Sequence, residues 1–296
     1  MHKLITQQAL KPEHFHEKTE AIINGFLIKR MITLIYADGG TGKSWLAMGV
    51  AHYCASIGMD VIYLDYDNPL NALEERGVPE KLIAPFSNLH YIQRSRATMS
   101  AIDMLSTMQE QGSYQDTLII ADSLRDFGNV NNDNHILLAM EKFKNLREAG
   151  ATILILSHAN KDGRNYQGSN NIRNSLDNMY RLSKGDAPRD EISFLLDVEK
   201  ERAGILDQAY RLDLNTLHMH PIDIEQARLS SEDKEFITQV QTVLTDQPNI
   251  NKKELLEAIG HSQDDKTARN RLDRFEGSQW TCSKVKGVFT YQLCSA

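Results

Sequence analysis

The order of apolar runs predicts an α/β domain around a mostly parallel sheet, followed by a smaller unit of different character. Up to about residue 158, short apolar segments alternate with helical ones. The last of these runs, ATILILS at 151–157, is apolar nearly throughout, as strands buried on both faces are. From about residue 232 the chain turns to short polar helices and a closing hairpin.

The segment MITLIY, 31–36, reads as the first strand. A helix over 43–57 follows, with Leu46, Val50 and Tyr53 spaced to share a face and Gly58 as its stop. VIYLD, 61–65, is the second strand, and 70–84 a looser helical region. HYIQ, 90–93, is a short strand, and MSAIDMLSTMQEQG, 99–112, a helix ended by glycine. TLIIAD, 117–122, is a clear strand, and 134–150 the most amphipathic helix of the chain. Crossovers between parallel strands are expected to be right-handed. EISFLLDVEK, 191–200, and AYRLDLN, 209–215, read as two further strands joined by a turn. Asparagines at 129, 131, 132, 134, 165, 170, 171, 174 and 178 gather around two expected loops. The domains predicted are 1–225 and 231–296.

Composition bounds the function. Of 296 residues, 41% are hydrophobic, enough for a sizeable core, and the formal net charge is -7. A surface that binds nucleic acid all over is therefore excluded, although a local basic face is not. Cys54, Cys282 and Cys294 form no CxxC pair, which fits a reducing compartment. MHKLITQQALKPEHF lacks the apolar stretch of a signal peptide, and no run approaches eighteen apolar residues. The expected location is the cytoplasm, with no membrane partner.

The chemistry begins at ADGGTGKS, 37–44, between the first strand and the first helix. The phosphate-loop pattern is GxxxxGK[ST], and here Ala37 replaces the first glycine. Backbone N–H groups of Gly39, Gly40, Thr41, Gly42, Lys43 and Ser44 can wrap a phosphate at a helix start. Trp45 follows directly. Lys43 would neutralise β- and γ-phosphate charge, and the Ser44 hydroxyl would ligate Mg2+. A plain glycine-rich turn is the other reading, but strand, Gly-Lys-Ser and helix coincide here. ATP with Mg2+ is the expected cofactor pair.

Asp122 ends its strand and suits a metal-orienting role near Ser44; its alternative is a helix cap. Asp65 and Asp67 alternate onto one side of the second strand end, and either could activate water. His158, just after ATILILS, would emerge at the carboxyl edge of the sheet, where open α/β folds bind ligands. It could sense the γ-phosphate or simply terminate its strand. No second ligand has the spacing of a zinc site.

This order of motifs resembles the RecA-like ATPases, specifically the RepA-like plasmid replicative helicases, and is similar to DnaB-type helicase cores and KaiC-like proteins, over roughly 15–215. The resemblance implies that LDYD, 64–67, places Asp67 as catalytic base, where the family usually has Glu. It puts the metal-orienting acid at Asp122 and the γ-phosphate sensor at His158. YQGSNNIRNSLDNMYRL, 166–182, resembles a segment that lines the channel of ring ATPases. Arg164, Asn165, Gln167, Ser169 and Arg173 are then candidates for single-stranded DNA, though an ordinary hydrophilic loop fits equally. VEKERAG, 198–204, resembles a K-x-R-x-G feature that reaches a neighbour's nucleotide. Lys200 and Arg202 would act in trans, in a homo-oligomer expected to be a hexameric ring.

The C-terminal segment resembles a winged helix-turn-helix. Residues 266–275, with Lys266, Arg269, Arg271 and Arg274, would form the recognition helix, and 281–290, with Lys284 and Lys286, the wing. The segment 231–296 has nine Lys/Arg against ten Asp/Glu, so protein docking competes with duplex DNA binding. Leu255, Leu256, Ile259, Leu272, Phe275 and Trp280 are its expected core. Two functions compete for the whole chain: a DNA-dependent helicase motor in plasmid, phage or mobile-element replication, working with replication proteins, and a slow nucleotide-controlled switch or loader that binds DNA or a partner.

Overall fold

The computed structural model describes residues 6–12, 18–160, 165–202, 204–285 and 287–294. Arg164 and Lys286, both proposed DNA contacts, lie outside the described residues. The chain divides into two compact units, Met1–Ile224 and Glu225–Ala296.

In the first unit, a small antiparallel pair, β1 (Ala21–Ile23) and β2 (Leu27–Ile28), precedes the main sheet. The sheet strands are β3 (Ile32–Ala37), β4 (Asp60–Asp65), β5 (Leu89–Gln93), β6 (Thr117–Asp122), β7 (Thr152–His158), β8 (Asn178–Gly185), β9 (Glu191–Lys200), β10 (Gln208–Asp213) and β11 (Met219–Pro221). Their order is β11-β10-β9-β8-β3-β7-β6-β4-β5. From β8 to β5 the pairings are parallel, and from β8 to β11 antiparallel. The helices are α1 (Lys43–Ser56), α2 (Leu70–Glu75), α3 (Ala101–Glu110), α4 (Asp133–Glu148) and α5 (Asn170–Ser175).

Alternation along the strands sorts the core into two layers. Ile35, Leu118, Ile120, Leu154 and Leu156 pack with Leu46, Val50 and Cys54 of α1 on one face. Leu34, Ile119, Ile153 and Ile155 pack with Leu105 of α3 and Met140 and Phe143 of α4 on the other. Because both faces are covered, β3 and β6 are buried at every position. Each such Leu or Ile contributes about 1.5–3 kcal/mol by leaving water. Helix starts are capped by short polar side chains: Ser100 accepts from the Asp103 N–H, and Asn132 from the N–H groups of Asn134 and His135. Asn132 thus gives one of the clustered asparagines a structural task.

Three local expectations need correction. Residues 178–182, read as part of a loop, begin β8, which is held between β3 and β9. The helical region 70–84 is broken at Gly77, whose φ of 71° favours glycine, into α2 and a wider turn at Pro79–Ile83. Tyr53 is 38% exposed, so the buried side of α1 runs instead through Leu46, Ala47, Val50, Ala51 and Cys54.

The second unit contains α6 (Ser231–Asp246), β12 (Ile250–Asn251), α7 (Lys252–Ala258), α8 (Lys266–Arg274), β13 (Trp280–Val285) and β14 (Val288–Leu293). Its strands form an antiparallel sheet ordered β12-β14-β13, with Gly287 at φ 89° in the hairpin turn. Ser230, Asn251 and Asp265 cap the three helices. Leu255, Leu256, Leu272 and Phe275 surround a fully buried Trp280, with Ile259 at the margin. The Trp280 indole donates to the Leu272 carbonyl at 2.9 Å, which explains how a polar ring edge is tolerated there.

Candidate nucleotide site

The glycine-rich loop joins the carboxyl end of β3 to the start of α1. Gly40 and Gly42 take φ values of 76° and 103°, a region side chains avoid. A Cβ on Gly42 would also stand 3.0 Å from the Phe194 ring. Gly39 has no left-handed φ. Neither has Ala37, which is the last residue of β3 and pairs in register with His158, so alanine fits there without strain. Thr41 donates its hydroxyl to the Asp38 carbonyl at 3.0 Å.

Lys43 is buried, and its ammonium donates to the carbonyls of Ala37 and Asp38, both at 2.9 Å. Burial lowers its pKa, while Asp122 and Asp67 oppose that shift. A buried cation resting on two carbonyl oxygens at a helix start is a seat for an anion.

Asp122 ends β6 beside Asp65, its register partner on β4. It is 2% exposed, and burial, with the charge of Asp65 next, raises its pKa to about 6. The hydroxyls of Ser44 and Tyr63 partly offset this, the latter donating at 3.1 Å. Two carboxylates in a buried setting gain from a cation.

Asp65 is committed to structure rather than to water activation. Its Oδ1 accepts the backbone N–H groups of Asp67 at 3.1 Å and Asn68 at 2.9 Å, and its Oδ2 accepts the Tyr91 hydroxyl at 2.6 Å. These bonds fix the turn that presents Asp67 and Asn68.

Asp67 forms an ion pair with Arg125, and its Oδ2 lies 3.7 Å from His158 Nε2. The neighbouring His158 and Arg125 hold its carboxyl down to about 2, against the opposing effect of burial. His158 Nε2 is buried without a hydrogen-bond partner among the described residues. A buried nitrogen with no hydrogen bond at this edge, 3.7 Å from Asp67, fits a phosphate oxygen or water. Among the described residues, no three His, Cys, Asp or Glu side chains gather as a metal site on their own. That suits Mg2+, which takes few protein ligands and completes its shell with phosphate and water.

Arg125 and Asn68 were missed in the sequence. Arg125 sits on the 3-10 turn Leu124–Asp126 that follows β6. The Asn68 side-chain nitrogen lies 3.5 Å from Ser44 Oγ, 3.4 Å from Asp122 Oδ2 and 3.1 Å from both Asp65 oxygens. The Arg76 guanidinium donates to Asn68 Oδ1 at 3.0 Å and lies 5.7 Å from the Trp45 ring centre.

Other predicted residues are placed elsewhere. Lys200 donates to the carbonyls of Arg173 and Leu176 at 2.6 and 2.7 Å, tying β9 to the end of α5. Arg202 lies 3.3 Å from Asp177, whose other oxygen accepts the Ile32 N–H. This is the amino edge of β3, opposite the glycine loop. The Gln167 backbone N–H donates to the His158 carbonyl, Ser169 caps α5, and Arg173 donates to the Glu199 carbonyl. Those bonds anchor the segment, and the Gln167 side chain is exposed. Asn165 contacts Asn160. A cleft of 680 Å³ lies at the amino edge, but its Lys29 pairs with Asp116 and its Arg147 with Asp177.

In the second unit Arg271 pairs with Glu232 and Asp233, and Arg274 with Asp233. Arg271 therefore braces α8 on α6. Lys266 and Arg269 are exposed, and Lys284 lies 5.6 Å from the ring of exposed Phe289.

A loop of this kind on the central strand, with an acid two strands away, defines a P-loop ATPase with a RecA-like core. The chain belongs to the AAA domain family, whose sequence profile matches residues 6–164. It carries the Walker-type apparatus of ATP hydrolysis, and the fold in general uses ATP and Mg2+. Among solved structures, the flagellar accessory protein FlaH from Methanocaldococcus jannaschii is similar: 17% identity over 67% of this chain and 91% of that one, TM-score 0.45. No curated protein sequence matches the chain. No helix among the described residues is long and apolar enough to cross a membrane.

Proposed function

We propose that the protein is a cytoplasmic, nucleotide-controlled switch or loader of the RepA-like group. Its isolated subunit hydrolyses ATP slowly, and its C-terminal unit grips DNA or a protein partner. The observation that carries this is the setting of Asp67, which is ion-paired to Arg125 and lies 3.7 Å from His158 Nε2. A carboxylate held near 2 by a guanidinium and an imidazole is a weak base at neutral pH. Bound Mg2+ would polarise the transferring phosphoryl group, with Ser44 and Asp122 as its protein-side holders. Lys43 would neutralise phosphate charge, Asp67 would orient the attacking water, and His158 would hold a γ-phosphate oxygen through Nε2, which faces Asp67 at 3.7 Å without a hydrogen bond.

A second reading, the assembled helicase motor, draws on Arg202. It is 55% exposed and lies at the opposite edge of β3 from the loop. Six strand residues span about 17 Å, beyond the reach of one side chain. On this reading Arg202 would leave Asp177 and reach the nucleotide of another subunit, as an arginine finger in a ring would.

We place the boundary between the ATPase core, 1–225, and a winged-helix module, 231–296, in the polar stretch around residue 228. The order helix, strand, helix, helix, strand, strand supports the winged reading. DNA contact there falls to Lys266, Arg269 and Lys284. Steady-state ATP hydrolysis at increasing protein concentration, with and without single-stranded DNA, separates the readings. Slow, DNA-independent turnover supports the switch, and cooperative stimulation by DNA supports the motor.

A further inference from the structure

The Asn68 amide occupies a position the loop chemistry leaves unexplained. Its nitrogen is within 3.5 Å of both groups assigned to Mg2+, Ser44 Oγ and Asp122 Oδ2, and of both oxygens of Asp65. The orientation of the amide follows from its surroundings. Reversed, it would set Oδ1 against two carboxylates and its N–H groups against a guanidinium. As placed, Nδ2 donates towards the carboxylates while Oδ1 accepts from Arg76.

We propose that Asn68 is a positioning residue of the metal seat: its amide holds Ser44, Asp65 and Asp122 together before nucleotide arrives, and competes with the divalent cation for that seat. This rests on the assignment of the glycine loop to ATP. An amide N–H is a weak stand-in for a divalent cation between buried carboxylates, so the cation displaces it. There is space for the withdrawal. A cavity of 580 Å³ lies beside the residue, lined in part by Asp67, Asn68, Leu70, Gln93 and Arg94. The Asn68 backbone is anchored meanwhile, its carbonyl accepting from Gln93 Nε2 at 2.8 Å and its N–H bonded to Asp65. Only the side chain needs to move. When it does, Arg76 loses its acceptor, and the loss reaches Trp45 on α1.

The test is calorimetric titration of the full chain with ADP, in EDTA and in Mg2+, for wild type, Asn68→Ala and Arg76→Ala. Removing the amide should enlarge the enhancement of ADP affinity by Mg2+ about tenfold, the weight of one hydrogen bond to a charged group. Affinity in EDTA should stay within about twofold, since Asn68 touches no phosphate-loop N–H. Arg76→Ala frees Oδ1 and should shift the enhancement in the same direction by about threefold. An unchanged or smaller Mg2+ enhancement in Asn68→Ala overturns the proposal, as does a parallel loss of affinity with and without metal. Absence of ADP binding by wild type in both conditions would refute the loop assignment itself, and this inference with it.

Discussion

Arg125, on the turn after β6, forms an ion pair with Asp67, two residues beyond the end of β4, where the family resemblance places the catalytic base. The pair joins two strand ends at the carboxyl edge of the sheet, with His158 on the far side of the same carboxylate.

Removing Arg125 should make Asp67 a stronger base. With the guanidinium gone, the Asp67 pKa rises from about 2, while His158, the larger cause of its lowering, still holds it below the ordinary carboxylate value. The Asp67 side-chain carboxyl, followed by carbon NMR in the nucleotide-free protein, should then titrate at higher pH in Arg125→Ala than in wild type. In Asp67→Asn, ATP binding should persist while turnover falls by at least about 100-fold.

Lys43→Ala should abolish measurable ATP affinity while leaving the far-ultraviolet circular dichroism unchanged. The ammonium, outside both core layers, donates to the carbonyls of Ala37 and Asp38, so its loss leaves the layers intact. Unaltered ATP binding would remove Lys43 from the phosphate site.

Asp122→Asn should raise the melting temperature of the nucleotide-free protein. A carboxyl whose folded pKa is raised, here from 3.8 to about 6, destabilises the fold above that range and ceases to do so below pH 4. The gain, on the order of 3 kcal/mol, should appear at pH 7–8 and vanish towards pH 4. Mg2+-dependent nucleotide binding should be lost at the same time. A lower melting temperature at pH 8 would contradict this.

In the second unit, Lys266→Ala with Arg269→Ala should weaken duplex DNA binding and reduce the slope of log affinity against log salt by about 2. Arg271→Ala should instead lower stability, because it uncouples α8 from Glu232 and Asp233. Equal DNA affinity in the double variant would assign the module to protein docking.

The sheet centre was legible because its strands are buried on both faces and read as apolar runs: β3, β6 and β7 have the plainest patterns. β8 was not, because NMYRLSKG mixes polar with apolar residues, and its pairing to β3 and β9 comes from the fold. The phosphate loop follows from local spacing. Asp67 and His158 were legible as strand-end polar residues, but their mutual distance was not. Arg125 and Asn68 escaped because neither belongs to a spaced motif; each matters through partners 58 and 54 residues away. Arg271 looked like a DNA contact until its acidic partners on α6 were in view.

The most direct test of the central claim is ATP turnover per subunit across a wide range of protein concentration, at fixed salt, with and without single-stranded DNA. Mixtures of Arg202→Ala and Asp67→Asn subunits are included. Slow turnover that neither rises with concentration nor responds to DNA, with no rescue in the mixtures, is the expected result for a switch. Cooperative, DNA-stimulated turnover restored by mixing the two variants would contradict it and establish a motor with sites completed between subunits.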